Sequence, residues 1–542
     1  MHINFLHKHA RKKIDLTNGC IWKTILVFSI PIFFSYVLQN IYSIADAAIC
    51  GQTLSAYDVA GVNDTGSISF LFLQFAFGCT AGMSTLLSEN IGKNDEQAIK
   101  KTFATQLRLS AIICVVLIAV GLLTLDPILS LIGISPSGAE TNNMLYTAAK
   151  TYMTVIIGGM CAQYFYNFMF STLRSLGDSF TPLIFLVISS VTNIALDCLF
   201  IMAFDWGVAG AAGATIASQV LSAALCFVFA LKKYPVLRIK PADFKPDLKY
   251  DLKCLSQGIP LGLQFSILAF GLIALANGIV AFDKTPDGII VTGAPAQNGF
   301  ASANRVSNIM SLFPNALATA ILPFISQNLG AKKYDRIKSG YIQTLIIMLI
   351  VSATCAAIGF LISINGAYQY VLLSSDKISA ASIEYGRLFM LTHLPTLPAL
   401  GILVISRNAV QGLERPLFPL LSGIAELVVR IVICMFLPAL INGGPIDCMA
   451  SGGAYLALTA ADPLAWLAAD IILMPSTVYN IRKLIKKQNA TVPDAAEQTL
   501  CDSGSESEST GSDTSETIDN DCEENSFAVN QIDRACGARD DQ

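Results

Sequence analysis

Asn193 and Asp197 stand four residues apart in an apolar run, Thr181 to Phe204, whose only charged residue is Asp197. On a helix that spacing puts both oxygen-bearing side chains on one face, about 6 Å apart. A carboxylate inside a segment of that length costs about 2.5–3.5 kcal/mol on insertion scales, and so marks a functional position by default. Asp46 is the lone acidic residue of the first apolar run. At 1.5 Å of rise per residue, Asp197 lies about 22 Å beyond Pro182, in the half of its run away from that end. Asp46 lies four residues before Cys50, also toward the far end of its run. Thr215 is about 12 Å past Gly207, a depth comparable with that of Asn193. Three helices could thus bring two carboxylates, an amide oxygen and a hydroxyl together. Such a set suits a proton or a hard cation such as Na⁺, because two carboxylates in low dielectric repel until one is neutralised.

A second set of charges lies late in the chain. Glu426 and Arg430 are i, i+4 in the run Leu417 to Ile441. The simpler reading is a self-neutralising pair that pins helix packing; the functional one is a latch or a substrate contact. Asp462, beside Pro463, is placed to attract a cationic substrate, whereas His393 reads as a packed polar residue. Arg305 reads as an anchor or a gate. The 14 cysteines are scattered with no C-x-x-C, the four histidines offer no metal-ligand spacing, and nothing resembles a nucleophile–base pair. Catalysis, a resident cofactor and a metal centre are therefore not expected, apart from a coupling Na⁺ at Asp46, Asn193, Asp197 and Thr215.

The elements that must position these groups are membrane helices. Of 542 residues 53% are hydrophobic and only 14% charged, against about 25% charged in soluble domains; the mean hydropathy is +0.57. Twelve spans can be drawn: Trp22–Cys50, Thr65–Ser88, Phe103–Leu125, Tyr146–Thr172, Thr181–Phe204, Gly207–Leu231, Leu255–Ala281, Phe300–Gln327, Tyr341–Ile364, Ile383–Gln411, Leu417–Ile441 and Gly452–Tyr479. Lys and Arg crowd the leader and the even-numbered connections, while the odd-numbered ones hold only Lys284 and Lys377. By the positive-inside rule both termini are then cytoplasmic. The formal charge of −4 hides a contrast: 14 acidic residues fall within Gln488–Gln542, and the remainder of the chain is net +8. Those bases orient the protein, so no nucleic-acid partner is expected.

The halves echo one another. Ser88-Glu89-Asn90-Ile91-Gly92 returns 238 residues later as Ser326-Gln327-Asn328-Leu329-Gly330, and Ile259-Pro260 echoes Ile30-Pro31 at a similar distance. An even count of six spans per half gives parallel repeats about an axis along the membrane normal. The expected organisation is a basic leader (1–21), an N-lobe (22–231), a connection (232–253), a C-lobe (254–487) and a disordered acidic tail (488–542). No signal peptide is apparent.

These motifs together resemble the multidrug and toxic compound extrusion (MATE) family, bacterial type. The resemblance covers Trp22 to Lys487. It rests on Gln39–Asp46 with Gly51, the two S-x-N-x-G signatures, Ser175-Leu176-Gly177-Asp178 through Pro182, Asn193–Asp197, Gly207–Ala212 leading to Thr215, Ala303-Asn304-Arg305, and Glu426–Arg430. It implies two six-helix lobes around a central cleft, export of organic cations in exchange for H⁺ or Na⁺, and a cation site at Asp46, Asn193, Asp197 and Thr215. One departure is that span seven reads Gly262-Leu263-Gln264-Phe265-Ser266, where some members carry an acidic residue for Na⁺. The expected protein is a multi-pass monomer of the cytoplasmic membrane with small-molecule substrates. The competing readings are a flippase for lipid-linked sugars, which would want a cavity rich in Arg or Lys, and a membrane enzyme or receptor. Since the first six spans offer only Lys150 and Arg108, near helix ends, the cavity is expected to be acidic.

Overall fold

A computed structural model of the chain describes residues 14–132, 134–136, 140–374 and 377–503. Among them helix is the only extended regular structure, with one isolated bridge between Lys284 and Ile290. The crossings run α1 Ile21–Thr53, α2 Gly66–Gly92, α3 Glu96–Leu131, α4 Glu140–Gly158 with Met160–Ser175, α5 Phe180–Asp197 and α6 Gly207–Lys233. The second half holds α7 Leu248–Ala281, α8 Pro295–Met310 with Leu312–Gly330, α9 Tyr334–Ser363, α10 Ala380–His393 with Leu397–Gly412, α11 Leu417–Asn442 and α12 Gly452–Thr459 with Ala461–Ser503. Nine described helices are long and apolar enough to cross a membrane, and the bent pairs α8 and α10 make eleven. The twelfth, α4, is more polar: Gln163, Asn167 and Arg174 lie on it.

Several spans expected to be continuous are broken or bent. In α4 the adjacent Gly158 and Gly159 interrupt the helix. The halves of α8 meet at Ser311 at 44°, and those of α10 at 51°. Pro395 and Pro398 withhold backbone donors at the α10 bend. The α5 helix changes to a π turn at Cys198–Ala203 immediately after Asp197. The connection expected over 232–253 is shorter, because α7 starts at Leu248, with Asp247 capping the Tyr250 N–H.

The two halves meet along α2 and α7, where glycines on both helices admit backbone contact. A Cβ on Gly78 would lie 2.6 Å from the Leu261 carbonyl oxygen, and one on Gly82 would lie 2.2 Å from that of Gln257. Gly258 and Gly262 face back toward Cys79. Paired small-xxx-small stripes of this kind let membrane helices pack without large side chains between them.

The repeated signature marks the pseudo-two-fold at the end where the basic connections gather, here termed the basic end. Gly92 abuts the Gln327 carbonyl, with a notional Cβ–O distance of 2.0 Å, and Gly330 abuts the Glu89 carbonyl at 1.9 Å. Glu89 and Gln327 are the second residues of their motifs, and Gly92 and Gly330 the fifth. Each motif thus packs its second residue on the other's glycine. Residues 14–19 tie the same end: Ile14 N–H donates to the Gly177 carbonyl (3.1 Å), while Asn328, Lys333 and Arg336 donate to carbonyls of Leu16, Thr17, Asn18 and Gly19. Leu16 is fully buried.

The compact body ends at Ile481. Within the tail expected to be disordered, 488–503 are helical. The rest of the tail and residues 1–13 of the leader lie outside the described residues.

Candidate functional site

The N-lobe brings its four expected residues into one place. Asp197 ends α5 one residue before the π turn, a local widening that recurs at functional sites. Asp197 is fully buried and Asn193 almost so. The Asp46 carboxyl, from α1, lies within hydrogen-bonding reach of Asp197 whenever one of the two carries a proton. Asn193 Nδ2 reaches Thr215 Oγ1 on α6 at 3.5 Å. Gly159 lets α4 approach α6 closely there, for a Cβ would lie 2.1 Å from Ile216. Both Asp197 oxygens and Asn193 Oδ1 are buried without a hydrogen-bond partner. Tyr42 and Tyr152 lie beside the pair, and the Cys50 thiol is 4.0 Å from Asp46 Oδ1. Among the described residues no protein donor satisfies these three acceptor oxygens. A proton or a small hard cation would do so.

A cavity of about 670 Å³ opens beside this cluster, within the size of drug-binding clefts. Its walls come from α1, α2, α4, α5 and α6 on one side and from α7, α8 and α10 on the other. Phe77 of α2 packs edge-on against Phe265 of α7, centroids 5.5 Å apart. The Tyr36 hydroxyl meets Thr319 Oγ1 at 2.8 Å, from α1 to α8. The expectation of an acidic cavity is not met. Its charged lining residues among those described are Asp46, Arg174 and Arg407. Lys150 and Arg108 are engaged elsewhere, Lys150 with Asp126 at 2.8 Å and Arg108 with Asp251.

The C-lobe charges form a closed network. Glu426 Oε2 accepts from Arg407 Nη2 (2.7 Å) and Oε1 from Arg430 Nη2 (3.1 Å). Arg430 Nε donates to Asp462 Oδ1 (2.5 Å), whose other oxygen is 3.2 Å from His393 Nε2. All five residues are buried. Gly271 makes the room, since a Cβ there would meet Arg430 Nη1 at 2.6 Å. Gln264, at the span-seven departure, turns its amide oxygen to Arg407 Nε (3.2 Å) and Nη1 (3.1 Å). The Glu426–Arg430 pair is therefore real, but it is one edge of a larger set. Asp462 is not a cavity residue, because it is committed to Arg430 and His393 behind the wall. His393 is packed, its ring stacked on Phe389 at 4.0 Å. Arg305 is exposed. Sequence reasoning missed Arg407 and Asp470, although both are charges inside apolar spans and the signal that singled out Asp197 applies to them.

The comparisons agree with this architecture. A family model described as MatE matches residues 31–199 and 290–436. The probable multidrug resistance protein YpnP of Bacillus subtilis is 28% identical over 330 residues, 60% of this chain and 69% of that protein. A Shewanella oneidensis protein named as an FAD transporter is 23% identical over 475 residues, 84% of this chain and 99% of that one. A MATE crystal structure in a bent conformation superposes with a TM-score of 0.74 at 20% identity, covering 88% of this chain and 99% of that one. A MOP superfamily transporter from Pyrococcus furiosus gives 0.72 at 20%, with 87% and 98% covered. At these identities the solved structures speak to the fold.

Proposed function

The chain belongs to the MatE family, the multidrug and toxic compound extrusion transporters, and from that premise we propose that it exports amphipathic organic compounds by antiport with H⁺ or Na⁺ bound between Asp46 and Asp197. The observation that carries this reading is the convergence of buried, unpartnered oxygens beside the cavity wall. A transporter couples two fluxes when the ion and the substrate cannot both be bound as the lobes exchange access. Asp46 belongs both to the carboxyl pair and to the lining. An ion that neutralises the pair removes the charge that a cationic group in the cavity would use. The basic end is the cytoplasmic one by the positive-inside rule, so the backbone contacts at Gly92 and Gly330 close the path to the cytoplasm. On this reading the protein is a multi-pass component of the cytoplasmic membrane, both termini inside.

Moving one charge across 100 mV releases about 2.3 kcal/mol, and each pH unit adds about 1.4 kcal/mol. One entering ion therefore supports a modest uphill gradient of substrate. Efflux of a fluorescent drug from a host lacking its own exporters, with and without an imposed gradient, tests the reading. Asp197→Asn and Asp46→Asn should each abolish gradient-driven efflux while the protein still reaches the membrane. Asn193→Ala and Thr215→Ala should weaken coupling less. Full efflux by Asp197→Asn would move the ion site elsewhere. Imposing a pH difference or a Na⁺ difference separately identifies the ion.

The flippase reading wants several free cations in the cavity, whereas Arg407 is already paired with Glu426. The relative named as an FAD transporter widens the substrate question beyond cations.

A further inference from the structure

Arg174 is the cavity's uncompensated positive charge among the described residues. It ends α4, lines the cavity, and has no ion-pair partner among the described residues; its Nε is buried without a hydrogen bond. The hydroxyls of Tyr36 and Tyr166 lie near it, but neither is a counter-charge. The other cationic lining residue is in a different condition, since Glu426 and the Gln264 amide oxygen neutralise and occupy the Arg407 guanidinium. Arg174 is half-buried against the cavity, so its guanidinium is partly screened from water and meets no counter-charge among the described residues. An arrangement of this kind gains most from a ligand anion. Five fixed donors match a carboxylate or a phosphate in a paired, planar geometry.

The position adds a direction. Tyr36, beside Arg174, is ten residues from Asp46 on α1, about 15 Å along the helix. The cavity thus carries a positive pole toward the basic end and a carboxyl pole at the far end, with aromatic walls between them at Phe77, Phe170 and Phe265. We infer that Arg174 is a substrate anion site, at which the carboxylate or phosphate of an aromatic compound docks. The inference rests on the cavity being the substrate site but not on the identity of the coupling ion.

Rhodamine B and its ethyl ester differ by one carboxylate and share the aromatic cation. Their binding to the purified full chain in detergent, read by fluorescence polarisation, tests the inference. Wild type should hold the free acid at least tenfold more tightly than the ester. Arg174→Gln should erase that preference, losing roughly tenfold for the acid and less than twofold for the ester, which also reports that the variant is folded. Arg174→Lys should retain part of the preference. An ester bound as tightly as the acid by wild type would overturn the inference, as would equal losses of both dyes in Arg174→Gln. Displacement of the acid by short-chain phosphatidylglycerol but not by fluorescein would assign the site to a lipid headgroup and also overturn it. Binding of neither dye would remove the cavity reading with it. Loss of the coupling result at Asp197 with the acid preference intact would sink antiport alone.

Discussion

Asp197 and Glu426 are both carboxylates buried within membrane-length helices, but only Glu426 has basic partners. Glu426 lies between Arg407 and Arg430, so Glu426→Gln leaves the buried Arg407 without its counter-charge and Arg430 with Asp462 alone. Breaking a buried pair from one side costs about 3–5 kcal/mol, and thermal unfolding in detergent should show a loss of that order. Asp197 forms no ion pair with a basic group among the described residues, so Asp197→Asn should change stability by less than about 1 kcal/mol while removing coupling. Equal destabilisation by the two changes would contradict this assignment of roles. Outside the membrane, Asp178 shows the opposite of an orphan. Burial pushes its carboxyl up, but hydrogen bonds from Lys233, Thr181 and Tyr234 together hold it below its ordinary 3.8. Its contribution is complete above pH 3.8 and is lost as the pH falls through the lower folded value. Asp178→Asn should therefore lower stability by about 2–3 kcal/mol at neutral pH, and the gap from wild type should close under acid.

At the scale of elements, the N-terminal segment joins pieces that belong to different halves. Gly177 adopts a left-handed φ of +81° and lies so close to Ile14 that a Cβ would meet the Ile14 carbonyl oxygen at 2.3 Å. On the other side Arg336 reaches the carbonyls of Gly19 (2.6 Å) and Asn18 (2.8 Å). Hydrogen bonds from a charged donor contribute about 1.5–3 kcal/mol each, so Arg336→Ala should loosen the segment without unfolding the helices. Hydrogen exchange should accelerate at residues 14–19 and stay unchanged in the body of α2. Unaltered exchange at 14–19 would show that the apolar seat of Leu16 suffices by itself.

For the molecule as a whole, the proposed antiport requires the basic end to part. Gly92→Ala places a methyl 2.0 Å from the Gln327 carbonyl oxygen, a distance at which backbone must move. It should favour separation there, read as faster labelling of Ser84→Cys from the basic side. The same seam holds Glu414, 3.2 Å from Lys253, which also lies 3.6 Å from Glu89; Lys93 holds Glu89 from the other side at 2.6 Å. Burial and the adjacent Glu89 carboxyl push Glu414 up to about 7, against the pull of Lys253. An acid with a raised pKa favours the joined state fully below its ordinary 4.5 and loses that contribution as the pH rises to about 7. Labelling of Ser84→Cys should accordingly quicken across that interval, and Glu414→Gln should flatten the dependence. A profile unchanged by Glu414→Gln would exclude this carboxyl from the closure.

Run lengths, the alternation of Lys and Arg, and the repeated S-x-N-x-G motif determined a helical membrane protein of twelve crossings in two related halves. Those signals are local or periodic, and a bilayer allows few other ways to satisfy a backbone. The meeting of Asp46, Asn193, Asp197 and Thr215 was legible too, because depth along a helix follows from counting residues. Azimuth does not. Which way Asp462 faces on α12, and that Arg407 turns into the cavity while Glu426 neutralises it and the Gln264 amide oxygen accepts from it, depend on how α7, α10, α11 and α12 rotate against one another. The bends in α8 and α10 and the break at Gly159 contribute to that. The polarity of the cavity was therefore misjudged from helices taken singly: Arg174 reads as an ordinary cytoplasmic base at the end of a span, and only packing leaves it lining the cavity with no carboxylate beside it.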